Sequence, residues 1–167
     1  QTKIDDTGIV YHENILEEGD WIYLYGKGLK ECGIEGKMVV SRVLKNKYPN
    51  LKSEDISYWD GQHWVSDYKK ATAITTFQPG NEWNITYMDK GTFAGKYILV
   101  NTAFSITGSV GFAVADTPMG PFVEPDESRL YYATEPYKLW MRYYQDSKTI
   151  FRQWNYNAKS QPAISKS

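Results

Sequence analysis

The chain has 167 residues and a formal net charge of −1, with 23% of residues charged. That length allows one domain with a real core, and the balanced charge argues against the basic surface that nucleic acid requires. A single cysteine, Cys32, excludes an intrachain disulfide, and with only His12 and His63 beside it no zinc set of Cys and His exists.

Residues 9–16 (IVYHENIL) read as a first strand. Glu17-Glu18-Gly19-Asp20 reads as a turn, with Gly19 free to take positive φ and the acids left in water. Residues 21–25 (WIYLY) are strongly β-prone. The Gly-rich segment 26–36 reads as a loop and 37–44 as a returning strand. Tyr48-Pro49-Asn50 cannot continue a ladder, because proline lacks the N–H, so 45–54 is expected to be a surface connection. Tyr58–Trp64 (YWDGQHW) reads as a hairpin, with Asp60-Gly61 suited to a type I′ turn.

The order then repeats. Residues 72–77 read as an edge or crossover strand, Pro79-Gly80-Asn81 as a turn and 82–88 (EWNITYM) as a strand. Asp89 opens the next turn, and 96–104 with 109–116 read as a strand pair. Thr117-Pro118-Met119-Gly120-Pro121-Phe122 closes the unit. Residues 129–134 and 138–144 are apolar and aromatic, and 153–157 (QWNYN) resembles another first strand. No window holds a clean 3.6-residue period free of Gly and Pro, and no apolar run is long enough to span a bilayer.

Two units separated by about seventy-five positions, built from short strands and tight turns, read as blades of a β-propeller. The expected fold is all-β: part of a five-bladed propeller, with about two complete four-stranded blades plus pieces of others. The approximate units are 9–68, 72–128 and 129–167. Unpaired blade edges invite association, so the remaining blades are expected from another chain or an upstream half. The chain opens at Gln1 without an apolar leader, which suggests a removed leader or a piece of something longer.

A propeller's innermost strands line its central channel, and alternate side chains point one way. Tyr11, Glu13 and Ile15 then share one face and His12 and Asn14 the other; Glu82, Asn84 and Thr86 share a face, as do Asn155, Asn157, Lys159 and Gln161. A carboxylate on such a strand needs partners or a task, which singles out Glu82 and Glu13. Two carboxylates across a funnel suit glycoside cleavage, one protonating the leaving oxygen while the other activates water or attacks the sugar. The plainer reading is that Glu13 and Glu82 sit at strand ends in solvent or pair with a Lys or Arg. Aromatic residues make up 16% of the chain, and Tyr11, Trp59 and Trp83 are candidate platforms for a sugar's apolar face, with Asn84, Asn157, Lys159 and Gln161 as polar contacts. Arg42, mid-strand, is expected to bind a carboxylate between blades. Asn84-Ile85-Thr86 fits the N-glycosylation pattern, but in an inner strand it would be inaccessible. No metal or organic cofactor is indicated, although nothing in the residues bars a structural calcium.

Ile22–Gly26 (IYLYG), Tyr58–Trp64 (YWDGQHW), Met119–Phe122 (MGPF) and Tyr156–Pro162 (YNAKSQP) together resemble secreted bacterial five-bladed propellers related to glycoside hydrolase families 43, 32 and 117. Among these the chain is most similar to the group of domain of unknown function 4185. The resemblance covers nearly the whole chain but only the later part of the family's length. It implies a carbohydrate-active protein, secreted, periplasmic or on the cell surface. It also implies a general acid at the start of an inner strand, the place Glu82 occupies. The family's aspartate on another inner strand has no match, Tyr11 standing near it with Glu13 two along. Gln161 stands where the group has histidine, and a side chain able to titrate near neutral pH is lost there. The leading expectation is a glycosidase-like propeller acting on an oligosaccharide. The alternative is a non-catalytic module that binds glycans or serves assembly.

Overall fold

The computed structural model describes residues 7–30, 33–80, 83–103, 109–125 and 129–131. Cys32, Glu82 and everything after Tyr131, including Asn157, Lys159, Gln161 and the expected third unit, lie outside the described residues. Among those described there is no α-helix.

The first sheet is an antiparallel meander in the order β1 (Val10–Glu18), β2 (Trp21–Lys27), β3 (Met38–Leu44), β4 (Ser57–Trp59), β5 (Trp64–Val65). Sequence reasoning expects four strands here; the hairpin at β4–β5 makes five. The second sheet runs β6 (Trp83–Met88), β7 (Lys96–Ala103), β8 (Ser109–Ala115), β9 (Arg129–Tyr131), again antiparallel. In both sheets the first strand is an edge and the chain moves steadily away from it.

The β4–β5 turn differs from the expected type I′ form. It is a longer loop, Asp60 to His63, closed by a bond from the Asp60 N–H to the His63 carbonyl at 3.0 Å. The Asp60 carboxylate accepts from the Gln62 and His63 N–H groups at 2.8 and 2.6 Å. Those two donors hold its pKa below the ordinary aspartate value, since they favour the charged form. An aspartate that satisfies its own backbone supplies the turn that two left-handed residues would otherwise have to make.

Period-two alternation decides which side chains meet. Tyr23 and Tyr25 on β2, with Met38 and Val40 on β3, face Trp83, Ile85, Tyr97, Leu99, Ala113 and Ala115 of the second sheet. This shared cluster is the core between the sheets. Fully burying each large apolar side chain in it contributes about 1.5–3 kcal/mol. The opposite face of the first sheet buries Tyr11, Ile22, Leu24, Val39 and Val43 under Ile56, Tyr58 and Ala71. The opposite face of the second carries Ile98, Val100 and Phe112. Two consecutive meanders stacked face to face are adjacent blades, and the fold is all-β, part of a propeller.

The expected crossover strand at 72–77 is a strap instead. Ile74 donates from its N–H to the Met38 carbonyl and accepts at its own carbonyl from Phe122 N–H, both at 2.8 Å. Thr75 pairs with Phe122 in an isolated parallel bridge. The closing segment therefore docks onto the strap, with Phe122 wholly buried. Gly120 makes the approach possible: its φ is +76°, and a Cβ there would stand 2.7 Å from the Ile74 carbonyl oxygen.

Candidate functional site

The inner edge strands β1 and β6 are neighbours across the gap between the sheets. Among the described residues β6 pairs with β7 and with no other strand, so its other edge faces β1. The two strands meet through a side chain: the Asn14 carboxamide oxygen accepts from the Ile85 N–H at 2.8 Å. Asn14 thereby ties one blade's inner strand to the next.

Asn14 reaches β6 because β1 is bulged. Tyr11 is opposite Gly26 and Ile15 opposite Leu24, so three residues, His12, Glu13 and Asn14, stand against one on β2. The strict alternation expected through 11–15 therefore fails at its centre. Bulges of this kind break the ladder and re-aim side chains, and they recur beside functional sites. Glu13 lies in this bulge. The bulge shows in the strand lengths of the structure, nine residues in β1 against seven in β2.

β6 begins immediately after Glu82. The Thr86 hydroxyl donates to the Asn84 carboxamide oxygen at 2.9 Å, and both side chains are half-buried, so the shared face expected for this pair is present. At the same end of the strand, Trp83 is in register with Asn101 of β7. Asn101 is 2% exposed, and its amide nitrogen is buried without a hydrogen-bond partner, an arrangement that costs about 1–3 kcal/mol. The Lys27 ammonium stands 5.6 Å from the centre of the Trp83 ring, and burial lowers its pKa. Sequence reasoning missed Asn14, Lys27 and Asn101, because each is placed by the partner sheet.

Two of the proposed sugar platforms are core residues. Tyr11 is 1% exposed and Trp83 2%, and the Tyr11 hydroxyl oxygen accepts from Ser41 at 2.9 Å. Neither ring has a face open for stacking. Trp59 is half-buried, but it lies elsewhere, on β4, with its ring centre 5.3 Å from that of Trp64.

That second aromatic group surrounds Arg42. The guanidinium carbon lies 3.8 Å from the Trp21 ring centre and 4.2 Å from that of Trp64. Tyr23 hydrogen-bonds to it. Among the described residues no carboxylate pairs with Arg42, contrary to the expected interblade ion pair. Indole faces hold the cation instead. Its Nε is buried without a partner, at a cost of about 1–3 kcal/mol. Burial lowers the guanidinium's pKa, and the Tyr23 phenol opposes that; the group stays charged at neutral pH. The nearby Glu18 carboxylate is engaged across the sheets by the Tyr97 hydroxyl at 2.5 Å. Burial first, then Glu18, holds the Tyr97 pKa well above the ordinary tyrosine range.

Among the described residues, no three His, Cys, Asp or Glu side chains are grouped to hold a metal ion.

No curated protein matches the chain. Among solved structures, a candidate hydrolase from Bacteroides ovatus matches with a TM-score of 0.55 and 21% identity, covering 77% of this chain and 30% of that one. The chain thus spans less than a third of that protein, and the likeness shows the fold alone. A family 43 β-xylosidase/α-arabinofuranosidase from a compost metagenome gives a TM-score of 0.41 at 18% identity, covering 73% of this chain and 36% of the other. A thermostable family 43 glycoside hydrolase gives 0.35 at 19%, covering 75% and 40%. The matching family model is not that of the 4185 group suggested by the motifs: it spans residues 1–166, and the chain belongs to the family described as Domain of unknown function (DUF5005).

Proposed function

We propose that the protein containing this chain is a carbohydrate-active propeller that hydrolyses a glycan at the channel end of β6. One observation carries the reading. The inner strands of two adjacent blades are tied edge to edge by Asn14. One strand opens directly after Glu82, and the other carries Glu13 in a bulge that interrupts its ladder. Two carboxylates on neighbouring inner strands would suit acid–base chemistry on a glycosidic bond, which supports this reading. In this reading Glu82 protonates the leaving oxygen and Glu13 assists. Asn84, half-buried on β6, offers hydrogen bonds to sugar hydroxyls. The fold likeness to a candidate hydrolase is consistent with this chemistry.

The test is turnover of aryl-glycosides and oligosaccharides by the full-length protein and its Glu82→Gln variant. Loss of an acid catalyst is expected to slow turnover by about 10²–10⁴-fold. The loss should be smallest on substrates whose aryl leaving group needs no proton. Unchanged turnover on every substrate would remove Glu82 from the mechanism. Saturable glycan binding with no hydrolysis by the wild type would favour a binding module instead.

A further inference from the structure

Arg42 is a cation held against two indoles, and among the described residues no carboxylate pairs with it. The guanidinium carbon lies 3.8 Å from the Trp21 ring centre and 4.2 Å from that of Trp64. A guanidinium packed on aromatic rings keeps its in-plane edge for hydrogen bonding. Within that plane Nε is buried and unpaired, which closes the side-on approach. The terminal nitrogens are not among the buried unpaired atoms; Tyr23 takes one hydrogen bond. The two carboxylates at the end of β1, Glu17 and Glu18, are already engaged. Glu18 accepts from Tyr97, and Glu17 pairs with Lys45 at 3.2 Å. What remains is a preorganised planar donor, the geometry that recognises a carboxylate.

The rings beside it supply the other half of a sugar site. Trp64 packs obliquely on Trp59, centre to centre 5.3 Å, and on Tyr23 at 5.9 Å. Trp21, Trp59 and Trp64 are all half-buried, so indole surface remains open next to the cation. The cluster sits on β2, β3, β4 and β5, with Trp21 in register with Glu18, at the other end of β1 from the bulge.

We propose that Trp21, Arg42, Trp59 and Trp64 form a second glycan subsite, one that takes an acidic sugar: the pyranose ring lies on indole and its carboxylate meets the guanidinium edge. The choice of a sugar as carrier of the carboxylate rests on the glycan reading above; the anion site itself does not.

The experiment titrates the full-length protein with oligogalacturonate, with a neutral xylo-oligosaccharide of equal length and with acetate, following intrinsic tryptophan fluorescence and calorimetry. The expected result is saturable binding of the acidic oligomer, a fluorescence change and an affinity that falls with added salt. The neutral oligomer and acetate should bind at least about tenfold more weakly. Arg42→Lys keeps the charge but loses the planar fork, and should weaken the acidic oligomer at least about tenfold. Trp59→Ala, at a half-exposed ring, provides a second variant if Arg42→Lys proves unstable, and should also weaken binding. Glu82→Gln should leave this binding unchanged, which separates the subsite from the hydrolytic centre. Absence of binding, equal binding of acidic and neutral oligomers, or binding indifferent to both variants would overturn the proposal. Equal binding of acetate would reduce it to a simple anion site and overturn the sugar assignment.

Discussion

Tyr25→Phe tests the joint between the two blades with one atom. Tyr25 is wholly buried on β2, and its hydroxyl donates to the Pro118 carbonyl at 3.0 Å in the segment that closes the second blade. Removing the hydroxyl leaves the ring, and so the apolar packing, in place. The Pro118 residue is itself buried, so water cannot readily replace the donor. A neutral hydrogen bond contributes about 0.5–1.5 kcal/mol net, and stranding a buried carbonyl raises the loss to about 1–3 kcal/mol. Urea unfolding of the full-length variant, followed by near-ultraviolet circular dichroism, should show the midpoint falling with the slope unchanged. Tyr87→Phe is the control. Tyr87 is 48% exposed, and its change should stay within about 0.5 kcal/mol. A Tyr25→Phe loss no larger than that of the control would show that the blades do not meet through this contact.

The same interface makes the protein alkali-sensitive. The folded-state pKa values of Tyr23, Tyr25 and Tyr97 are all raised above 10.0, with burial the first cause of each. Such groups hold their protons in the folded chain when the unfolded chain has released them, so stability is intact below pH about 10 and declines above it. Tyr25 alone sets a slope of up to about 1.4 kcal/mol per pH unit. Urea midpoints between pH 8 and 11 should fall only at the alkaline end, and less steeply in Tyr25→Phe; a flat profile would contradict the burial. Gly120→Ala should destabilise by about 1–3 kcal/mol, because a Cβ at φ +76° meets the Ile74 carbonyl; a thermal melt unchanged from wild type would show that the strap and closure do not pack this closely.

Much of the fold was legible because strand period and turn chemistry are local. Trp21–Lys27 alternates buried rings with its own neighbours, and 96–104 with 109–116 announces a pair that forms as β7 and β8. Asp60-Gly61 marked a hairpin correctly, yet the turn type depended on an Asp60 side chain bonding its own backbone. The site was less legible. A tyrosine read as a platform proved to be core, since an aromatic ring on a strand does not declare which face the next layer covers. Tyr11 meets Ser41, thirty residues on. Arg42 looked like half of an ion pair, but its partners are two indoles on β2 and β5. The alternation of Trp21, Tyr23 and Tyr25 against Met38, Val40 and Arg42 held the clue, because the register of β2 on β3 puts cation and rings on one face. The bulge at His12 to Asn14 was not legible, because it is defined by the register of β1 on β2.

The most direct test of the account is a crystal structure of the full-length protein with an oligosaccharide bound. The account predicts β1 and β6 lining one axial channel, with the sugar beside the Asn14–Ile85 contact and the Glu82 carboxylate within hydrogen-bond reach of a glycosidic oxygen. Sugar bound only on some other surface, with β1 and β6 buried against an additional domain, would contradict it.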